Sequence, residues 1–148
     1  MKLQFGTARP GLDYFHRAAT FGLVERDGKL ACVRVDRGEG SYFDLPGGAV
    51  DGEESEQQAL VREFAEETGL IVQPEDRLTE AAQYFQRTDG SPVNNAGGFW
   101  TVRLAGFDAS TQCEADHELV WLDPLEAVSR LRHEAHAWAV AKWLRAQV

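Results

Sequence analysis

Three glutamates, Glu63, Glu66 and Glu67, lie three and four residues apart in the run Gly47 to Leu70, GGAVDGEESEQQALVREFAEETGL. On a helix that spacing puts the three carboxylates on one face. Like charges so placed cost an isolated helix about 0.2–0.5 kcal/mol per pair. Arg62, four residues before Glu66, relieves only part of that. Two arrangements reverse the cost. One is solvation of an exposed acidic face, the usual meaning of a charge run. The other is a hard cation such as Mg²⁺ (or Mn²⁺), which accepts several carboxylate oxygens, keeps some of its waters and bridges substrate phosphates. Gly47 and Gly48 let the backbone approach such a site closely, and a main-chain carbonyl there is a candidate oxygen ligand.

The elements around these residues are well punctuated. Ser55 with Gln58 three residues on forms a capping box, and Gly69 is placed just past a helix end, which predicts a helix over Glu56 to Thr68. Leu60 and Phe64, with Val61 and Ala65, form an apolar stripe that should pack on a sheet. Upstream, β-rich runs from Ala18 to Arg26 and Lys29 to Val35 flank Asp27-Gly28, a strong hairpin signal. Tyr42 to Val50, interrupted by Pro46-Gly47-Gly48, reads as a bent or loop-flanked strand. Residues 1–12 read as irregular. Downstream, strands are expected over Thr79 to Arg87, Gly97 to Phe107 and Glu118 to Leu122, with TDGSPVNNAGG as a turn-rich loop between the first two. Asp123-Pro124 opens a helix. A last amphipathic helix is expected over His133 to Ala146, with Trp138, Ala141 and Leu144 inward. Strands interspersed with helices predict a mixed sheet with helices on both faces, an α/β fold.

The order of the residues decides between the two readings of the glutamates. Gly48, five residues, Glu54, seven residues, Arg62-Glu63-Phe64, one residue, Glu66-Glu67, one residue, Gly69-Leu70 resembles the Nudix box of the Nudix hydrolases at every fixed position. Phe64 stands where the family usually has a bulky aliphatic, and keeps the apolar role. The resemblance implies one Nudix hydrolase domain over residues 1–148, folded as an α/β/α sandwich around a mixed β-sheet. It implies Mg²⁺ (or Mn²⁺)-dependent hydrolysis of a diphosphate bond in a nucleoside triphosphate or nucleotide-linked metabolite. By position in the box, Glu63, Glu66 and Glu67 are metal ligands with the Gly48 carbonyl, while Glu54 and Arg62 orient them. The general base is Glu63 or a carboxylate beyond the box, with Glu118 preferred to Glu114 and Asp116. Alternatives on the same fold are a non-catalytic nucleotide sensor, disfavoured by the intact box, and a diphosphate isomerase, which would want a catalytic cysteine and an N-terminal extension.

Substrate contacts are expected from Phe43, Tyr84 and Arg87. Tyr42 or Phe43 could stack on a base. Tyr84 and Phe85 alternate on a strand, so one faces the core and the other a cleft or helix. Gln86, Arg87 and Arg103 are candidate phosphate or base contacts. Composition is that of a soluble globular chain: 148 residues, 43% apolar and 26% charged, with a formal charge of −9. That charge argues against a nucleic-acid polymer or an anionic membrane as partner, but leaves a small nucleotide substrate open, because a bound cation inverts the local field. No signal peptide or span of ~20 apolar residues is present, so a cytoplasmic protein is expected. Cys32 and Cys113 read as buried thiols. Histidines 16, 117, 133 and 136 make no metal pattern, with His133 and His136 expected on a solvated helix face. Trp138 and Trp143 read as core or as packing in a possible homodimer.

Overall fold

The computed structural model describes residues 3–148. The elements in order are β1 (Leu3–Phe5), β2 (Phe15–Leu23), β3 (Glu25–Arg26), β4 (Lys29–Asp36), β5 (Ser41–Asp44), β6 (Gly47–Ala49), α1 (Glu56–Thr68), β7 (Leu70–Gln86), β8 (Pro92–Phe107), β9 (His117–Leu122), α2 (Pro124–Arg130) and α3 (Glu134–Ala146). A short 3₁₀ turn, Ala109–Thr111, follows β8. Five strands form a mixed sheet in the order β1-β7-β8-β2-β6, in which β1 joins β7 and β8 joins β2 in parallel. In a second sheet β4 pairs antiparallel with β3, β5 and β9.

The expected hairpin at Asp27-Gly28 forms, with positive φ at both residues, but only as the short β3–β4 ladder. Its first run splits at Val24: β2 belongs to the five-stranded sheet and β3 to the other. Tyr42 to Val50 divides in the same way. Pro46 lacks a backbone donor, and on either side of it β5 and β6 enter different sheets. These two transfers bring the sheets together where Gly47 and Gly48 lie.

Helices cover both faces, as expected for an α/β/α sandwich. Adjacent residues of β2 point opposite ways. Phe21 lies in a core shared with Ala135, Ala139, Val140 and Trp143 of α3, while a side chain on Gly22 would strike Phe64 and Leu60 of α1. α1 forms over the expected residues, with the Ser55–Gln58 capping box complete and Gly69 left-handed at the end. It buries Leu60, Phe64 and Ala59, whereas Val61 is exposed, so the apolar stripe is narrower than the sequence pattern suggests.

Other expectations are corrected. Leu3–Phe5 is a strand, completed by parallel pairing with Ala81, Ala82 and Gln83. β7 begins directly after Gly69 and crosses Pro74 at register shifts, because a long partner, β8, holds it beyond what local propensity indicates. The expected TDGSPVNNAGG loop shrinks to a turn around Asp89-Gly90, and Val93, Asn94 and Asn95 are buried strand residues. On α3 the fully buried face is Ala135, His136, Ala139, Val140 and Trp143; of the residues expected inward, Trp138 and Leu144 pack partly buried against that core, and Ala141 is exposed. His133 and His136 are therefore buried, not solvated. Cys32 is buried, but Cys113 is exposed. No helix among the described residues is long and apolar enough to cross a membrane.

Candidate active site

Arg62 organises the acidic face of α1. Its Nε donates to Glu54 Oε2 at 2.8 Å, and its Nη1 donates to Glu63 Oε1 at 3.0 Å and Glu66 Oε2 at 3.2 Å. Its Nη2 reaches Glu54 Oε1 and the Ala49 carbonyl, fastening the loop before the helix to its middle turn. The guanidinium pulls the Glu54 carboxyl down to about 2. Burial pushes the Glu63 carboxyl the other way, against the pull of Arg62. One cationic fork thus makes Glu63 and Glu66 converge, and their remaining lone pairs are free for another ligand.

Gly48 closes this point from the sheet side. A Cβ there would lie 2.8 Å from the Glu63 carboxyl carbon, so only glycine lets the strand backbone sit against that carboxylate. Glu67 is set differently. Its side chain is buried, Oε1 accepts from Gly47 N–H at 2.9 Å, and Oε2 lies 3.1 Å from His117 Nε2. Burial pushes its carboxyl upward, while Glu67 and Asp116 push the His117 imidazole upward. Glu63, Glu66 and Glu67 offer anionic oxygens of the kind a hard divalent cation takes; among the described residues the donor atoms that lie within 4.8 Å of one another are those of Glu66, Cys113 and Glu114, and of Glu114, Asp116 and His117.

Beside Gly47 and Gly48 opens a cleft of about 410 Å³. Arg17, Arg37, Arg87 and Arg132 all line it, in a chain whose formal charge is −9. Arg37 pairs with Asp116, and Arg132 grips Asp44, with Nη2 2.9 Å from Oδ2. Among the described residues Arg17 has no carboxylate partner within ion-pair distance; its Nε donates to Asn95 Oδ1 at 2.9 Å. Burial and the neighbouring Arg87 charge push the Arg17 guanidinium below its ordinary value, opposed by Glu63 and Asp51. Two cations held near each other in a half-buried cleft favour a bound anion.

The cleft takes the strand neighbours of two predicted contacts. Tyr42 and Asp44 line it, while Phe43, between them, packs on the core under Arg130. Phe85 lines it, while Tyr84 stacks edge-on against Tyr14 at 4.8 Å. Arg87 does face the cleft. Arg103 sits on the exposed side of β8 against Gln73. Glu118 is not brought to the carboxylates. It is exposed opposite Arg34 on β9, and the alternation that points His117 at Glu67 points Glu118 away. Glu114 instead comes within 4.8 Å of Glu66 and Cys113.

Arg17, Arg37, Arg132, Asn95 and His117 were not singled out in the sequence. Arg17 and Asn95 come together only through the parallel register of β2 with β8, where residue 17 opposes residue 95. His117 carried a usable signal, as the first residue of a strand following an acidic turn.

The model of the NUDIX domain matches residues 15–144. The chain is 31% identical over 108 residues to a CTP pyrophosphohydrolase of Escherichia coli, covering 72% of this chain and 75% of that one. It is 30% identical over 126 residues to a putative mutator protein, MutT4, of Mycobacterium tuberculosis, covering 80% of this chain and half of that one. Its fold is similar to that of a NUDIX hydrolase from Nitrosomonas europaea, with a TM-score of 0.73 at 19% identity over 88% of this chain and 89% of the other. With the box residues gathered at one end of a matching fold, the chain belongs to the Nudix hydrolase family.

Proposed function

We propose that the protein hydrolyses a diphosphate bond of a nucleoside triphosphate to the monophosphate and pyrophosphate, with Mg²⁺ or Mn²⁺. The observation carrying this reading is the arginine-lined cleft that opens on Gly47 and Gly48, with the α1 carboxylates directly behind. The similarity to a CTP pyrophosphohydrolase supports the same reading.

Glu63, Glu66 and Glu67 with the Gly48 carbonyl would hold a divalent ion, which would supply positive charge to the phosphate chain and acidify a water. Arg17 and Arg87 hold the phosphate chain from the opposite wall, and their forked donors fix its direction. Tyr42, whose ring carries the Arg132 guanidinium 3.6 Å from its centroid, and Phe85 line the part of the cleft that would take the base. As water attacks phosphorus and the bridging P–O bond breaks, the water proton passes to a carboxylate oxygen of Glu63. Arg62 and Glu54 keep its carboxylate aimed, and Glu118 takes no part.

A panel of nucleoside triphosphates (oxidised ones included), ADP-ribose, dinucleoside polyphosphates and nucleotide sugars, with Mg²⁺ and products identified by mass, tests the reading. Monophosphate and pyrophosphate from one or more triphosphates are expected. Turnover confined to ADP-ribose or the dinucleotides would overturn the substrate class.

A further inference from the structure

Glu67 stands apart from the other two glutamates of α1. Arg62 holds Glu63 and Glu66, but the partners of Glu67 are the Gly47 N–H and the His117 imidazole. A glutamate side chain pinned by one oxygen still pivots about its terminal torsion. Pinned by both oxygens, from two different elements, it keeps one plane.

His117 is itself fixed from behind. Its Nδ1 lies 2.7 Å from Asp116 Oδ1, and Asp116 pairs with Arg37 across the β4–β5 loop. The segment before β9 is clipped to the end of α1. Cys113 and Glu114 N–H donate to the Glu66 carbonyl at 3.0 and 3.1 Å, and Gln112 Nε2 donates to the carbonyls of Glu67 and His117, each at 3.1 Å. His117 is thus anchored to the turn of helix whose side chain it steadies. Nothing else in the site gives Glu67 a second side-chain partner among the described residues.

We propose that His117 is a positioning residue, holding the Glu67 carboxylate in the plane from which it serves the divalent-metal site. This rests on the metal-dependent reading given above. The pairing leaves that service open, because each carboxylate oxygen keeps a further lone pair. It follows the general pattern in which partners behind a metal ligand set its orientation, and their loss costs roughly 10–100-fold in metal affinity.

The test is Mn²⁺ binding to the full chain without substrate, followed by the electron paramagnetic resonance signal of the free ion, with a thermal melt of each variant alongside. H117L should stay folded and bind Mn²⁺ at least about tenfold more weakly than wild type. H117Q, whose amide N–H can replace the donor to Glu67, should recover most of the loss. D116A, at the surface end of the chain of contacts, should weaken binding less than H117L and decides the matter if H117L does not fold. Unchanged affinity in H117L, or in D116A where H117L is unfolded, would overturn the proposal. H117Q as weak as H117L would overturn it too, since that result makes the imidazole a ligand. If wild type binds Mn²⁺ no better than E63Q, the metal reading itself fails, which is a different result from a wild type that binds while H117L binds equally well.

Discussion

Arg17 and Arg62 are both half-buried guanidiniums near Glu63, yet their surroundings separate their tasks. Arg62 is saturated by Glu54, Glu63, Glu66 and the Ala49 carbonyl, and has little left for a substrate. Among the described residues Arg17 has only the Asn95 amide oxygen as a side-chain acceptor, with Arg87 as a like-charged neighbour. Replacing Arg17 removes charge-assisted hydrogen bonds of about 1.5–3 kcal/mol, so R17A should raise KM for the triphosphate about ten- to a hundredfold. R17K, keeping the charge without the fork, should fall between the two. Steady-state kinetics checks this, and an unchanged KM in R17A would remove Arg17 from the substrate wall. The acidic part of the site was legible residue by residue because its spacing is set within one helix. Of the cationic part only Arg87 was, since Arg17, Arg37 and Arg132 come from other segments and share a wall with it only after the sheets close. Tyr42 and Phe85 show the limit of a strand pattern. Alternation says that one of two neighbours faces the cleft, and only the packing of Phe43 on the core and Tyr84 on Tyr14 says which.

At the scale of elements, the connection from β5 through Pro46 into β6 and α1 does the positioning. Gly47 and Gly48 meet different constraints there. A Cβ on Gly47 would fall 2.0 Å from the Thr20 carbonyl oxygen, at φ +148°, so G47A must displace β6 from β2. The nearest atoms to a Cβ on Gly48 are those of the Glu63 carboxylate, the far end of a flexible side chain. G47A should therefore destabilise the protein by about 1–3 kcal/mol in denaturant unfolding. G48A should leave unfolding nearly unchanged while lowering kcat by about a hundredfold through a misplaced Glu63. Equal stability losses in both variants would refute this division. The helix α1 was readable to the residue because its caps are local: Ser55, Gln58 and Gly69 need no tertiary partner to define it. The sheet transfers at Val24 and Pro46 were not readable, because each depends on which distant strand completes the ladder.

For the whole molecule, the floor of the cleft carries a titration that the sequence pattern concealed. His133 and His136 open α3 inside the core, with Leu45 N–H donating to His136 Nδ1 at 3.1 Å. Burial holds both imidazoles neutral, with His133 pushed down to about 3 and His136 well below its usual range. An unfolded histidine takes up a proton near 6.5, so below that pH the unfolded chain binds more protons than the folded one. Stability should be unaffected by these groups above about pH 6.5 and fall continuously as pH drops from there towards about 3. Denaturant midpoints across that range, with H133N showing a shallower slope than wild type, would check it; parallel slopes would mean that His133 is protonated in the folded protein. The central claim concerns the whole assembly of cationic cleft, glycine turn and carboxylate helix as a hydrolase. It is tested most directly by turning over the best triphosphate of the panel in ¹⁸O-water, with wild type and E63Q, in Mg²⁺ and in chelator. For wild type with Mg²⁺, one ¹⁸O per turnover is expected in a single phosphate product. The rate should be about 10²–10⁴-fold lower for E63Q, and no turnover is expected in chelator. Turnover that survives both the chelator and E63Q would rule out this mechanism.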